Sequence, residues 1–120
     1  MISIFDPIIE KYKLESNSYE HDTLVQGNEY EAWLQSFLDK WGGRFIKGYW
    51  NLDVGYLPMR WCGALDEALD MIAEESPEFG IVQIKIKFGG IRIYLSDISD
   101  SISDGVEHLE RVLYDDRFVF

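Results

Sequence analysis

Apolar residues recur along this chain at two different spacings, and the spacing indicates the element. From Ile81 to Ser96 apolar and polar residues alternate, which is typical of strands that bury one face. Elsewhere apolar residues return every three or four positions, which is typical of amphipathic helices. The pattern predicts an α+β fold: a small antiparallel sheet with a central hairpin and about four helices packed mainly on one of its faces.

Local signals define the first half of the chain. The Asp6-Pro7 pair predicts a short helix that runs to about Leu14, because aspartate caps helices and proline favours their first position. Asn28 is expected to cap a second helix, which Gly42-Gly43 ends. The stretch from Arg44 to Leu52 is rich in aromatic and β-branched residues and predicts a strand.

Two further helices are predicted in the second half. The third begins near Leu57-Pro58 and continues to Glu75, and the fourth follows a cap at Asp100 or Ser101. Their expected buried residues are Trp61, Leu65, Ala68, Leu69 and Ile72 on the third helix and Ile102, Val106, Leu109 and Leu113 on the fourth.

Gly89-Gly90 separates the two alternating segments and predicts a type I′ hairpin turn, since glycine readily adopts positive φ angles. The expected pairs on the apolar face are Phe88 with Ile91, Ile86 with Ile93 and Ile84 with Leu95. The opposite face then carries Gln83, Lys85, Lys87, Arg92 and Tyr94.

Composition indicates one domain over residues 1–120, with 47% apolar residues available for a single core. The only cysteine, Cys62, excludes an intrachain disulfide, and no signal peptide or membrane-spanning segment is predicted, so we expect a reducing cytoplasm. Twenty-two acidic and eleven basic residues give a net charge of −11. This charge disfavours nucleic acid and anionic lipid and attracts basic proteins, although solubility alone is another explanation.

The acidic residues fall on one side of each of the last two helices. The third helix has no basic residue to neutralise its carboxylates between Leu65 and Ile84, whereas the fourth has Arg111. The candidate partner-binding residues are Asp66, Glu67, Asp70 and Glu74 on the third helix and Asp104, Glu107 and Glu110 on the fourth. A solvated helix face is the alternative interpretation.

The non-apolar face of the hairpin has the opposite charge. Lys85, Lys87 and Arg92 lie there with Tyr94 and form a possible contact for an anion or a partner's carboxylates. The alternatives are pairing with carboxylates of the helices and protection of the sheet edge by lysines.

The sequence indicates no catalytic, metal or cofactor site. Nucleophilic catalysis requires a base beside its nucleophile, and the two histidines, His21 and His108, show no such arrangement with a serine or with Cys62. A zinc or iron site requires clustered cysteines and histidines. We therefore expect a protein that is not an enzyme and has no cofactor.

The KFGGIRIYL stretch, Lys87 to Leu95, with VQIKI before it, resembles small bacterial and phage-associated proteins that carry a KFGGLRFY-like hairpin. GYLPMRWCGALDEAL, Gly55 to Leu69, is similar to their Gly-aromatic-x-Pro start of an amphipathic helix. The similarity covers about the central third of the chain. Those proteins often carry paired cysteines near the C-terminus, which are absent here, so the resemblance implies no metal function.

In size, acidity and single-domain build, the chain is similar by type to immunity proteins of contact-dependent inhibition systems. The expected function is that of a cytoplasmic immunity protein which neutralises a basic toxin domain, such as a nuclease, through its acidic helices. One alternative is a phage anti-restriction protein that imitates the phosphates of DNA. Another is a small anion-binding domain or enzyme that uses the basic hairpin face.

Overall fold

The computed structural model describes residues 3–15, 24–25, 27–48, 52–53 and 57–114, and more than half of these residues are helical. The helices are α1 (Asp6–Lys11), α2 (Gly27–Trp41), α3 (Met59–Glu75) and α4 (Asp100–Val112), with a short 3₁₀ helix at Gly42–Arg44. The strands are β1 (Leu24–Val25), β2 (Leu52–Asp53), β3 (Leu57–Pro58), β4 (Gly80–Lys87) and β5 (Gly90–Ser96). The predicted α+β class is confirmed.

The main sheet has the order β2-β4-β5, with β4 in the centre. β4 and β5 form the predicted antiparallel hairpin, whereas β2 runs parallel to β4. The chain passes through α3 between β2 and β4, and a helical crossover returns the chain in its original direction, which produces a parallel pair. β1 and β3 form a separate antiparallel pair.

The hairpin turn lies one residue earlier than the sequence predicted. Lys87 pairs with Gly90, so the turn residues are Phe88 and Gly89, whose φ angles are 52° and 83°. The observed pairs are Ile86 with Ile91, Ile84 with Ile93 and Ile81 with Leu95. The slip moves each partner by two positions, so the paired strand residues keep their predicted faces. Phe88 does not, because it lies in the turn and is exposed, and the predicted pair of Phe88 with Ile91 is wrong.

Gly90 does not have a positive φ angle, but it does allow a close approach. A Cβ atom there would lie 3.1 Å from a guanidinium nitrogen of Arg92, which folds across the end of the hairpin. Glycine therefore leaves room for this side chain. In the Gly-Gly pair, Gly89 provides the positive φ angle of the turn and Gly90 provides the space.

The predicted strand from Arg44 to Leu52 is largely wrong. Arg44 ends the 3₁₀ helix, Phe45 makes an isolated parallel bridge to Ile81, and a turn follows. Leu52 lies in β2, and residues 49–51 are outside the described part of the chain. Aromatic and β-branched residues favour a strand only where a neighbouring strand offers a partner, and such a partner exists here at only a few positions.

The core lies between the helices and the apolar face of the hairpin. The predicted inward-facing residues of α3 and α4 are all buried, as are Ile81, Ile84, Ile91 and Ile93 of the hairpin. α1 contacts both helices, since a Cβ at Gly63 of α3 would approach the Tyr12 ring at 2.8 Å and one at Gly105 of α4 would approach the Phe5 ring at 3.0 Å. α1 thus lies against both acidic helices.

Helix starts differ from the predictions by one or two residues. Asp6 is the first helical residue and not the cap, and its carboxylate accepts a hydrogen bond from the Ser3 backbone amide at 3.2 Å. Ser99 caps α4 by accepting from the Ile102 amide at 3.2 Å, and α2 begins at Gly27. Within the described segments, we find no helix with the length and apolar character needed to cross a membrane.

Candidate partner-binding surfaces

Two carboxylates of α3 share one lysine from α2. Lys40 Nζ lies 3.2 Å from Asp66 Oδ2 and 2.9 Å from Asp70 Oδ1. The hydrogen bond to Asp70, and secondarily that to Asp66, raises the pKa of Lys40 above its ordinary value. Asp66 Oδ1 also accepts a hydrogen bond of 2.7 Å from the indole nitrogen of buried Trp41. Asp66 therefore joins α3 to α2.

A third carboxylate of α3 is held by α1. Lys11 Nζ lies 2.9 Å from Glu67 Oε1, and the Tyr12 hydroxyl donates to Glu67 Oε2. The hydrogen bond from Tyr12, followed by that from Lys11, lowers the pKa of Glu67. Lys11 and Lys40, which are far from α3 in sequence, thus offset two of the three carboxylate charges, and the expectation that these carboxylates are uncompensated is wrong. Their role in partner binding stays a prediction.

For Glu74 of α3 and for Asp104 and Glu107 of α4, the described residues provide no such partners. Glu74, Asp104 and Glu107 are exposed, and no ion pair to them is found within the described residues. The apolar side of α4 is buried against the hairpin and α1. The core therefore fixes α4 while its acidic side faces solvent.

Glu110 differs from the other carboxylates of α4, because it is part of the fold. It is half-buried, and its Oε2 accepts a hydrogen bond of 2.7 Å from the Ile93 amide of β5. Burial raises the pKa of Glu110, and the Ile93 amide and Arg92 oppose this rise. Glu110 satisfies a backbone donor on the free edge of β5.

Replacing Glu110 with glutamine should flatten the dependence of stability on pH above the ordinary carboxyl pKa. A raised folded-state pKa contributes stability at low pH, and this contribution is lost as pH rises through the folded-state value. Glutamine keeps an oxygen for Ile93 but does not titrate. Denaturant unfolding of both proteins, from below pH 4.5 to neutrality, measures the difference. Parallel curves for the two proteins would contradict it.

The basic hairpin face is assembled as predicted. Lys85 stands directly opposite Arg92, and Gln83 stands opposite Tyr94. Within the described residues, no carboxylate lies within 4.0 Å of the charged groups of Lys85, Lys87 or Arg92. Arg92 donates to the adjacent Ile91 carbonyl at 3.1 Å. Direct ion pairs with helix carboxylates thus do not account for these cations, although Arg92 is near enough to Glu110 to oppose the rise in the pKa of that carboxyl.

Two open clefts were not predicted. One, of about 360 Å³, lies between the hairpin end and α4, where Phe88 and Arg92 face Glu107 and Arg111. The other, of about 410 Å³, lies between α2 and the start of α3, and Trp33, Phe37, Met59 and Cys62 are among its lining residues. The aromatic pair at positions 33 and 37, one helical turn apart, is the sequence signal for the second cleft.

Among the described residues, no hydrogen bond joins Cys62 to a histidine. Cys62 is buried, and burial raises its pKa to about 12, so the thiol stays protonated at neutral pH and is a poor nucleophile. His108 Nε2 lies 4.0 Å from Asp6 Oδ1, and His21 is outside the described residues. Across the described residues, no three side chains of the types that bind metals form a cluster.

Comparisons with models of protein families, with curated proteins and with solved structures give no match. The resemblance to proteins with a KFGGLRFY-like hairpin therefore stays a prediction. The fold and its surfaces define an acidic α+β protein in which part of the negative charge is paired internally and part faces solvent.

Proposed function

We propose that this protein is a cytoplasmic immunity protein that binds and neutralises a basic protein domain, such as a nuclease toxin, through the acidic side of α4. One observation carries the proposal. Asp104 and Glu107 are exposed and have no ion pair among the described residues, on a helix whose apolar side is fully buried. A rigid helix with unpaired carboxylates suits the Lys- and Arg-rich surface that a nuclease presents to phosphate.

Long-range charge favours the same partner. The net charge of −11 accelerates encounter with a basic domain, and carboxylates on a fixed helix need little reordering when they bind. Glu74 of α3 is exposed and has no ion pair among the described residues, so it is a second candidate contact for a basic partner. Asp66, Glu67 and Asp70 have a smaller expected part, because Lys11 and Lys40 offset two of their three charges.

The same internal pairing disfavours the alternative of a DNA mimic. Such a mimic needs a regular array of unpaired carboxylates that imitates successive phosphates. On α3 the lysines of α1 and α2 interrupt that array, so binding of a basic protein through α4 is the better supported proposal.

Reversing the charges of Asp104 and Glu107 to lysine should slow association with the basic partner by about tenfold or more at low salt. The wild-type rate should fall steeply as salt rises, because screening weakens steering. The partner is first captured from the source cells on the immobilised chain, identified and purified, and its association rate is then measured at several salt concentrations.

The matched control reverses Glu29 and Glu31, which are exposed on α2, and changes the net charge by the same amount. An equal loss of rate in both variants would mean that only total charge matters. A folded α4 variant that associates at the wild-type rate would remove α4 from the proposed interface.

A further inference from the structure

Like charges face each other across the hairpin. Lys85 and Arg92 occupy directly opposite positions on β4 and β5, an arrangement that destabilises a pair of strands. Lys87 is two pairs further along, at the turn. The described part of the chain places no carboxylate within 4.0 Å of these cations, although the protein has twice as many acidic as basic residues. Other lysines, Lys11 and Lys40, do have such partners.

The hairpin turn next to this pair of like charges also carries an unfavourable residue. Phe88 occupies the first position of the hairpin turn with a φ of 52°, and its side chain is 76% exposed. Asparagine, aspartate and glycine are preferred at this position, because a bulky side chain is strained at positive φ. The exposed ring gains little burial in return.

Aromatic rings contact two of the three cations, Lys85 and Lys87. Lys87 Nζ lies 5.7 Å from the centre of the Phe88 ring, and Lys85 Nζ lies 5.9 Å from that of Tyr94. Cation–π contacts of this kind order long side chains without neutralising them. The resulting surface combines fixed positive charge with exposed aromatic area, and aromatic residues and arginine are enriched at the energetic centres of protein interfaces.

We propose that this surface, the hairpin patch of Lys85, Lys87, Phe88, Arg92 and Tyr94, binds a short acidic segment of another protein. Carboxylates of the segment contact the three cations, and Phe88 inserts into an apolar recess of the partner. Residues that destabilise the fold without a compensating contact inside it are expected at functional sites. This interface borders the acidic side of α4 at Glu107, which lines the same cleft as Phe88 and Arg92, but the inference does not depend on the proposed toxin-binding function.

The surroundings of the hairpin patch favour a compact acidic segment over nucleic acid. Glu107 and Glu110 line the cleft next to Phe88 and Arg92, so an extended chain of phosphates would meet carboxylates immediately beyond the patch. The net charge of −11 opposes a long polyanion more strongly than a few carboxylates. A segment with two or three carboxylates around one apolar side chain matches the three cations and Phe88.

An NMR titration of the isotope-labelled full chain tests the inference. The probes are a peptide with glutamates around a central leucine, the same peptide with glutamines, and single-stranded oligothymidine. The acidic peptide should shift the amide signals of the hairpin patch, and the glutamine peptide should not. Replacing Lys85 and Lys87 with serine should weaken binding about tenfold, whereas the same change at exposed Lys13 and Lys47 should leave it nearly unchanged.

Phe88→Asn separates binding from folding. This variant should bind the acidic peptide about tenfold more weakly and yet melt about 2–5 °C higher, since asparagine suits the turn. A lower melting temperature would make Phe88 a structural residue and overturn the proposal. Tighter binding of oligothymidine, shifts confined to α4, or no shift with the acidic peptide would also overturn it.

Discussion

Replacing Ile84 with alanine should lower the free energy of unfolding by about 2–5 kcal/mol. Ile84 is 0% exposed, and it lies in the central strand, where it pairs with Leu52 of β2 and Ile93 of β5. The loss combines the transfer free energy of the removed carbons with the cavity left between sheet and helices. Such a change is a large part of the stability of an ordinary domain, and denaturant unfolding monitored by tryptophan fluorescence measures it.

Met59→Ala is the matched control, because Met59 is also a large apolar residue but is 50% exposed at the start of α3. Its expected cost is about 1 kcal/mol or less. A cost at Ile84 no greater than that at Met59 would contradict the placement of the inner hairpin face in the core.

Replacing Asp66 with alanine should destabilise the protein by about 1–3 kcal/mol. The change leaves the indole N–H of Trp41 without its acceptor, and Trp41 is only 4% exposed, so water cannot easily replace the carboxylate. The ion pair with Lys40 adds little to this figure, because both side chains are partly exposed. Thermal and denaturant unfolding give the size of the effect.

Asp66→Asn distinguishes the hydrogen bond from the charge. Asparagine keeps an oxygen for Trp41 and should cost less than half as much as alanine. Asp70→Ala should change stability by only about 0.5 kcal/mol, since Asp70 is 49% exposed and contributes a surface pair. If alanine and asparagine at position 66 are equally destabilising, the link between α2 and α3 is not the Trp41 hydrogen bond. These variants also separate the structural role of Asp66 from any role in partner binding.

The hairpin shows which features of a strand can be predicted from sequence. Within the two strands the alternation predicts most of both faces, because side chains of a strand point alternately to opposite sides. It fails at Phe88, which lies exposed in the turn, and at Ile81, which a register shift brings to the buried face. The turn position was wrong, because Gly89-Gly90 is the more favourable local choice. The bridge from Gly90 to Tyr114 joins residues that are far apart in the chain, and local turn preferences do not include such a contact.

For the candidate partner-binding surfaces, too, one part could be predicted from the sequence and another part could not. The positions of the carboxylates on α3 and α4 follow from helical periodicity, and that part was predicted. Whether each carboxylate is paired depends on residues from other elements: Lys11 on α1 for Glu67, and Lys40 on α2 for Asp66 and Asp70. Helical periodicity shows which side of its own helix a charge occupies but not which neighbouring helix covers that side.

The sequence by itself determined the α+β class, the buried sides of α3 and α4, and the two faces of the hairpin, because periodicity of apolar residues acts within each element. Only the tertiary structure decided the parallel pairing of β2 with β4, the turn at Phe88 and Gly89, and the division of charge between paired and unpaired groups. These features depend on contacts between residues that are far apart in the chain, and such contacts are fixed when the helices and the sheet pack together.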